Sequence, residues 1–240
     1  MIDKTSPLPI YYQIQEMIRG KIDSNEWEPG DMLPSERIFA ESYDVSRMTV
    51  RQAVTELVNE GLLRREKGKG TFVLEPKIEQ TLQGLTSFTE DMRKRGLKPG
   101  SKLVKYNLDN PSLKFAEMLQ MQGDQQLYEI KRLRLADEVP MALETTYMNK
   151  ELVGELPEDI ENHSLYYILE AEKGLKLGNG EQTFESSLAR QEEADYLDIQ
   201  VGDPVLLIKR MTYLEDGTLF EYVKSVYRGD RYKFTIKMPR

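Results

Sequence analysis

The sequence predicts an α+β protein whose two parts differ in pattern. Residues 9–60 carry apolar side chains at the spacing of helices, whereas residues 100–230 show mostly the two-residue alternation of strands. Two short strand-like runs flank the basic, glycine-rich tip Lys67-Gly68-Lys69-Gly70. We therefore expect three helices and a β-hairpin in the first part, and a largely antiparallel sheet with helices in the second.

The composition excludes several classes of protein. The 240-residue chain has no cysteine and one histidine, His163, which rules out disulfides, thiolate zinc sites and His-rich metal sites. No stretch approaches the roughly 18 apolar residues of a membrane helix, and the N-terminus lacks the apolar core of a signal peptide. We expect a cytoplasmic protein with no metal, no cofactor and no membrane partner.

The predicted helices of the first part have recognisable ends. The first begins at Pro9 and ends before the turn at Pro29-Gly30. The second follows Ser35 and the third follows Ser46, and serine is a preferred N-cap residue. The third helix ends before Gly61.

The second part reads as strands with helices between them. Residues 75–85 lack a clear period, so we assign 1–75 to a first domain, 76–85 to a linker and 86–240 to a second domain. Ser87 and Glu90 have capping-box spacing at the start of a helix. Strands are predicted at 102–108, 127–136, 140–148, 182–189, 204–214 and 218–228, and further helices at 112–120, 164–173 and 191–197.

The first part has the outline of a winged helix-turn-helix, a DNA-binding unit. Residues 46–70 carry six cations against three carboxylates, although the whole chain has a net charge of −8. Arg47, at the start of the third helix, can present its planar fork to guanine, and Ser46 and Thr49 can hold phosphate. Gly68 lets the hairpin tip approach the duplex. The alternative is a solvated three-helix bundle with arginines on its surface.

Four motifs in this part resemble the GntR family of bacterial transcription regulators. They are PSER (34–37), VSRMTVRQA (45–53), LVNEGLL (57–63) and GKGTFV (68–73). The resemblance implies that Arg37 and Arg47 read bases and that the wing glycine, Gly68, contacts the minor groove. It also implies that the backbone is held by Ser35, Ser46, Thr49 and Arg51. We also expect Lys67 and Lys69, which flank this glycine, to bind DNA. Family members are homodimers, so a palindromic operator is expected.

Polar side chains of the second part share strand faces at a period of two. Arg132 and Arg134 lie on one face of the strand at 127–136, and Glu144 lies on a face of the next strand. Glu221 and Tyr227 share a face of the last strand. An anionic sugar needs this set, because arginines and helix-terminal amides bind phosphate while carboxylates and phenols bind hydroxyl and amino groups. The alternative is surface ion pairing with ordinary capping by Ser87 and Ser164.

This part resembles the effector domain of the HutC subfamily, called UTRA, whose fold is similar to chorismate lyase. The segments that carry the resemblance are GLTSFTEDM (84–92), PMALET (140–145) and YVKSVYRGDRY (222–232). It implies phosphate contacts from Phe88, Thr89, Arg132, Ser164 and Tyr166, with Arg134 nearby, and sugar contacts from Glu144, Glu221 and Tyr227.

Most of the chain resembles the subfamily members that repress amino-sugar utilisation genes. The implied function is a repressor of amino-sugar uptake and catabolism controlled by glucosamine 6-phosphate or N-acetylglucosamine 6-phosphate. Another sugar phosphate or small anion is an alternative effector. Two other classes remain open: a chorismate-lyase-like enzyme and a DNA-architectural protein without a ligand. We expect no enzyme, because one histidine and no cysteine supply no nucleophile–base pair.

Overall fold

The computed structural model describes residues 2–75, 77–81, 84–157, 159–236 and 238. It separates the chain into two compact units, Met1–Lys77 and Ile78–Arg240. Helices and a small hairpin make up the first unit, and a six-stranded antiparallel sheet with flanking helices makes up the second. The predicted α+β class is confirmed.

The first unit is a three-helix bundle followed by a hairpin. Its elements are α1 (Ile10–Asp23), α2 (Glu36–Tyr43), α3 (Arg47–Asn59), β1 (Leu63–Glu66) and β2 (Gly70–Val73). The predicted N-caps are confirmed, since the Oγ atoms of Ser35 and Ser46 accept hydrogen bonds from the amides of Ile38 and Thr49. Ile14 and Ile18 of α1 pack with Val50, Val54 and Leu57 of α3 to form the core.

The second unit contains eight strands and five α-helices in its described residues. They are β3 (Ile78–Thr81), α4 (Phe88–Lys94), β4 (Pro99–Asp109), α5 (Leu113–Met118), β5 (Leu127–Ala136), β6 (Val139–Asn149), α6 (Lys150–Val153), α7 (Leu165–Tyr167), β7 (Leu177–Leu188), α8 (Gln191–Leu197), β8 (Pro204–Leu214), β9 (Leu219–Arg228) and β10 (Tyr232–Thr235). A 3₁₀ turn at Ile160–Asn162 and a π-helix at Ile168–Glu172 complete the unit.

The main sheet has the strand order β4-β5-β6-β9-β8-β7. One face packs against α8, where Ala194 and Leu197 contact Leu133 and Val226 of the sheet. On the opposite face, Ile130 packs with the segment that contains α7 and the π-helix. Helix α4 covers the same face, because Thr89 accepts a hydrogen bond from Arg134 of β5. The polar residues predicted to share strand faces lie on this second face.

The linker expectation needs one correction. Residues Ile78–Thr81, inside the expected linker 76–85, form β3, which pairs in parallel with β10. Both strands are four residues long, which is too short for alternation to distinguish a strand from a loop. Pro76, Leu82 and Gln83 of that segment lie outside the described residues.

The helix predicted at 164–173 also differs in the structure. It begins as the three-residue α7 and continues as the π-helix. π-Helices are rare, and those that occur are frequently found at functional sites. The hydrophobic period of a sequence does not distinguish it from an α-helix of the same length.

Candidate DNA-binding surface and buried arginine site

The start of α3 presents Arg47 to solvent. Its side chain is exposed and forms no ion pair or hydrogen bond within the described part of the chain. A long cation at the first position of a helix, with no internal partner, can reach the edge of a base without first breaking a contact. Arg47 is therefore placed as the predicted base-reading role requires.

Three other predicted DNA contacts are held in exposed ion pairs. These pairs are Arg37–Glu41 at 2.9 Å, Arg51–Glu36 at 2.8 Å and Lys69–Glu66 at 3.0 Å. An exposed pair contributes about 1 kcal/mol or less, so a DNA phosphate can replace the carboxylate at little cost. The pairs meanwhile hold the cations near the first unit's surface.

The predicted backbone-contact serines are also the helix caps. Ser46 Oγ lies 2.8 Å from Thr49 Oγ1 and accepts from the Thr49 amide at 3.0 Å. Ser35 Oγ accepts from the Ile38 amide at 3.3 Å. A hydroxyl that accepts one bond still has a proton to donate, so capping and phosphate binding are compatible.

The wing tip is open and needs a glycine for its turn. Gly68 has φ +79°, and no heavy atom lies within 4 Å of the position that a Cβ would occupy. Lys67 and Lys69 on either side are exposed. The conformation of the turn alone explains the glycine, and the open tip also permits the predicted close approach to DNA.

In the second unit, strand register brings the predicted effector residues together. Arg132 of β5 lies opposite Glu144 of β6, which lies opposite Ser225 of β9. Arg134 of β5 and Tyr227 of β9 each lie two residues further along their strands. Because side chains alternate between faces, these residues project toward the same side of the sheet.

Arg132 and Glu144 form a buried ion pair. Arg132 Nη2 donates to Glu144 Oε1 at 2.6 Å, and both residues are less than 9% exposed. Burial opposes ionisation of Glu144, but nearby arginines outweigh it and hold the pKa of this carboxyl below its usual value. The Nε and Nη1 atoms of Arg132 are buried with no partner among the described residues.

Arg134 lies beside this pair under α4. Its Nη2 donates to Thr89 Oγ1 at 3.1 Å, and its guanidinium stands 4.8 Å from the centre of the Phe88 ring. Burial and the neighbouring Arg132 lower the pKa of Arg134 to about 10, so the side chain stays cationic at neutral pH. Its Nε is also buried and has no partner in the described ranges.

Glu221 is held by three donors. Its Oε1 accepts from Tyr166 at 2.5 Å and from Thr212 at 2.7 Å, and Arg210 Nη2 lies 3.4 Å away. Burial, together with the charge of Glu221, raises the pKa of Tyr166 well above its usual value, so the phenol remains a donor. Glu144 and Glu221 are thus both engaged by cations or hydroxyls.

Two small adjoining cavities lie between the sheet and its cover. The arginine cavity, of about 20 Å³, is lined by eight of the nine predicted effector residues: Phe88, Thr89, Arg132, Arg134, Glu144, Ser164, Tyr166 and Glu221. The second cavity, of about 30 Å³, is lined by the ninth, Tyr227. Phe88, Glu144 and Arg210 line both cavities. Each has room for little more than a water molecule, so a larger ligand must widen it.

Several lining residues were not predicted from the sequence. Arg210 of β8 could have been predicted from strand alternation, which places it on the same face as Thr212, a donor to Glu221. Gln80 could not, because β3 was not predicted. Ser164 was predicted as a phosphate contact, with ordinary capping as the alternative; its hydroxyl makes no capping bond, and the residue lines the arginine cavity.

A winged helix-turn-helix joined to a domain with a buried, cation-rich cavity defines a DNA-binding transcription regulator that senses a small molecule. The sequence profile of bacterial regulatory proteins of the gntR family matches residues 10–73, and that of the UTRA domain matches residues 94–233. The chain belongs to the GntR family and carries the UTRA domain of its HutC subfamily. Within the described ranges, every helix is too short or too polar to span a bilayer.

Similar proteins support this assignment over the full chain. The transcriptional repressor NagR of Bacillus subtilis is 52% identical over 100% of this chain and 98% of its own length. The mannosyl-D-glycerate transport/metabolism system repressor MngR of Escherichia coli is 32% identical over 95% of both chains. The crystal structure of PhnF from Mycobacterium smegmatis is 29% identical, covers 95% of this chain and 98% of its own, and superposes with a TM-score of 0.63.

Replacing Arg47 by alanine tests the recognition helix. If its guanidinium holds a guanine, we expect a loss of about 1–3 kcal/mol of specific binding and relaxed selectivity at one base position. Fluorescence anisotropy with the operator and with single-base variants measures both. Arg93→Ala, at an exposed arginine of α4, is the matched control. Unchanged affinity and discrimination for Arg47→Ala would show that another residue reads the base.

Replacing Glu144 by glutamine tests the buried ion pair. The variant leaves the Arg132 cation without its carboxylate in a site shielded from water, so the free energy of unfolding should fall by about 3–5 kcal/mol. Urea denaturation measures the change. The control Glu129→Gln removes the partner of Lys105 in a more exposed pair, at a cost of about 1 kcal/mol or less. Equal losses in the two variants would contradict the buried pair.

Proposed function

We propose that the protein is a transcriptional repressor that releases its operator when glucosamine 6-phosphate or N-acetylglucosamine 6-phosphate enters the arginine cavity. The observation that carries the proposal is the pair of buried arginines, Arg132 and Arg134, whose unpartnered N–H groups lie beside a single carboxylate. Buried guanidinium donors without partners favour an anionic ligand that can accept from them.

The phosphate end of the ligand matches the arginine cavity. A phosphate monoester carries about −1.5 to −2 charges at neutral pH and offers three acceptor oxygens. Arg132 and Arg134 supply charge and donors, and the hydroxyl of Ser164 lines the same cavity. A carboxylate ligand would carry half the charge and fewer acceptors, so the site favours a phosphate.

The sugar end of the ligand matches the polar groups nearby. Hydroxyl groups both donate and accept, so they pair with carboxylates and phenols. Glu144 and Glu221 can accept from sugar hydroxyls, and Tyr227 lines the second cavity next to Glu144. The similarity to MngR, whose name places it in mannosyl-D-glycerate transport and metabolism, supports a sugar-derived effector.

The similarity to named repressors supports negative control of transcription. NagR, MngR and PhnF are each named as repressors. We assign DNA binding to residues 1–75 and effector binding to 86–240, and place the protein in the cytoplasm at genes for amino-sugar uptake and catabolism. One winged helix-turn-helix reads one half-site, so we infer a homodimer on a palindromic operator.

The size of the cavities supports a link between effector binding and DNA release. A sugar phosphate cannot enter spaces of about 20 and 30 Å³ unless the lining moves. Part of that lining is Gln80 of β3, whose Nε2 donates to Asp91 Oδ2 of α4 at 2.6 Å. Strand β3 follows the DNA-binding unit along the chain, so displacement of this strand pulls on the connection to that unit.

Calorimetric titration with and without operator tests the function. We expect both sugar phosphates to bind and the unphosphorylated sugars to bind far more weakly, because they lack the anion. By linkage, operator DNA must weaken sugar-phosphate binding by the factor by which the ligand weakens DNA binding. Absence of binding by both sugar phosphates contradicts the effector, and equal affinities with and without operator contradict induction.

The same samples test the absence of catalysis. Because Glu144 and Glu221 are engaged by cations or hydroxyls, we expect the phosphorus NMR spectrum of the sugar phosphate to remain unchanged after long incubation with the protein. Conversion of the ligand would instead support the enzyme alternative.

Replacing Gln80 by alanine tests whether β3 links effector binding to DNA binding. We expect near-normal affinity for the operator alone, because Gln80 lies outside the DNA-binding unit, but a reduced effect of each ligand on the other. The measurement is the ratio of operator dissociation constants with and without the sugar phosphate. Glu79→Ala, which removes an exposed pair with Lys233, is the control. A ratio equal to that of the wild type in Gln80→Ala would show that β3 does not transmit the signal.

A further inference from the structure

Arg210 is a third arginine at the effector site. It lies on β8 opposite Gln182 of β7 and Val223 of β9, and its side chain lines both cavities. The guanidinium stands 5.5 Å from the centre of the Tyr166 ring, and its Nε is buried with no partner in the described part of the chain. Arg210 therefore has a donor available at the boundary between the cavities.

The charges around Arg210 leave little attraction for a ligand cation. Arg132 neutralises Glu144 at 2.6 Å, and Arg210 lies 3.4 Å from Glu221. Asp91, a third carboxylate, accepts a hydrogen bond from Gln80, and burial raises its pKa. An ammonium group placed here would meet carboxylates that already have partners and a guanidinium of its own sign.

The pyranose ring places carbon 2 at the end opposite the carbon that carries the phosphate arm. In a hexosamine 6-phosphate, the phosphate is attached through carbon 6 to carbon 5, and carbon 2 is directly across the ring from carbon 5. With the phosphate on Arg132 and Arg134, the ring extends away from the arginine cavity. The substituent on carbon 2 can then reach the second cavity, which Arg210 also lines.

The second cavity has the mixed lining that an acetamido group needs. Thr86, Gln182 and Ser225 contribute polar groups, and Ile208, Val223 and Phe234 contribute apolar ones. A carbonyl oxygen and an amide N–H pair with the polar groups, while a methyl group packs against the apolar residues. The apolar side chains of this lining offer no favourable contact to an ammonium group.

We propose that Arg210 makes the effector site selective for 2-N-acyl sugar phosphates over the free amine. This inference rests on the proposed function of the site as a sugar-phosphate receptor. Arg210 donates to the acyl carbonyl oxygen, and its positive charge disfavours the ammonium group of glucosamine 6-phosphate. The selectivity arises at carbon 2 and leaves the phosphate contacts of Arg132 and Arg134 unchanged.

The first test uses the wild-type full-length protein and three probes that share the 6-phosphate. Calorimetry near neutral pH, where the free amine is largely protonated, compares N-acetylglucosamine 6-phosphate, glucose 6-phosphate and glucosamine 6-phosphate. We expect affinity to fall in that order, with about tenfold between the first and the last. If glucosamine 6-phosphate binds as tightly as the N-acetyl compound, or tighter than glucose 6-phosphate, the proposal is wrong.

The second test changes the arginine. Arg210→Gln keeps a hydrogen-bond donor and removes the charge, so the preference for the N-acetyl compound should shrink toward equality, partly through stronger binding of the free amine. Arg132→Gln, in contrast, should weaken all three probes by a similar factor. An unchanged preference in Arg210→Gln overturns the proposal, and if this variant does not fold, the wild-type series decides.

The outcomes separate this inference from the function on which it rests. If none of the three phosphorylated probes binds the wild-type protein, the sugar-phosphate function itself fails. If they bind with equal affinities, the receptor function stands and the role of Arg210 is refuted.

Discussion

The second unit is organised around three arginines, each of which buries a hydrogen-bond donor that has no partner among the described residues. Arg132, Arg134 and Arg210 project from one face of the sheet, where Glu144 and Glu221 are the carboxylates that pair with them. Charged groups are costly to bury unless they are paired, and removal of one partner costs far more than an exposed pair contributes. The α4 cover brings Thr89 Oγ1 to Arg134, and the Tyr166 hydroxyl donates to Glu221, the carboxylate that lies beside Arg210.

This arrangement is also the basis of the proposed coupling between effector binding and DNA release. Arg134 donates to Thr89 of α4, and Tyr166 of α7 donates to Glu221. Cavities of about 20 and 30 Å³ remain between the sheet and this cover. An anion that replaces these internal contacts must push the cover outward. A ligand can shift the protein between states only by binding one of them better, and a contracted cavity that must open provides two such states.

The sequence predicted most of this architecture where a residue pattern has a local cause. Ser35, Ser46 and Ser87 cap helices because a hydroxyl next to free amides suffices, and the long strands follow from alternation. Strands β3 and β10 were missed because their pairing depends on residues more than 150 positions apart. The same alternation that placed Arg132 on the site face also places Arg210 there, but its neighbours become evident only from the register across three strands.

The most direct test of the central claim is a measurement on the arginines themselves. In a ¹H–¹⁵N spectrum of the arginine Nε–H groups, N-acetylglucosamine 6-phosphate should shift the Arg132, Arg134 and Arg210 signals together and slow their exchange with water. Exposed arginines such as Arg93 and Arg190 should not change. If the ligand binds while the three buried Nε–H signals stay unmoved, or if only exposed arginines respond, then the arginine cluster is not the effector site.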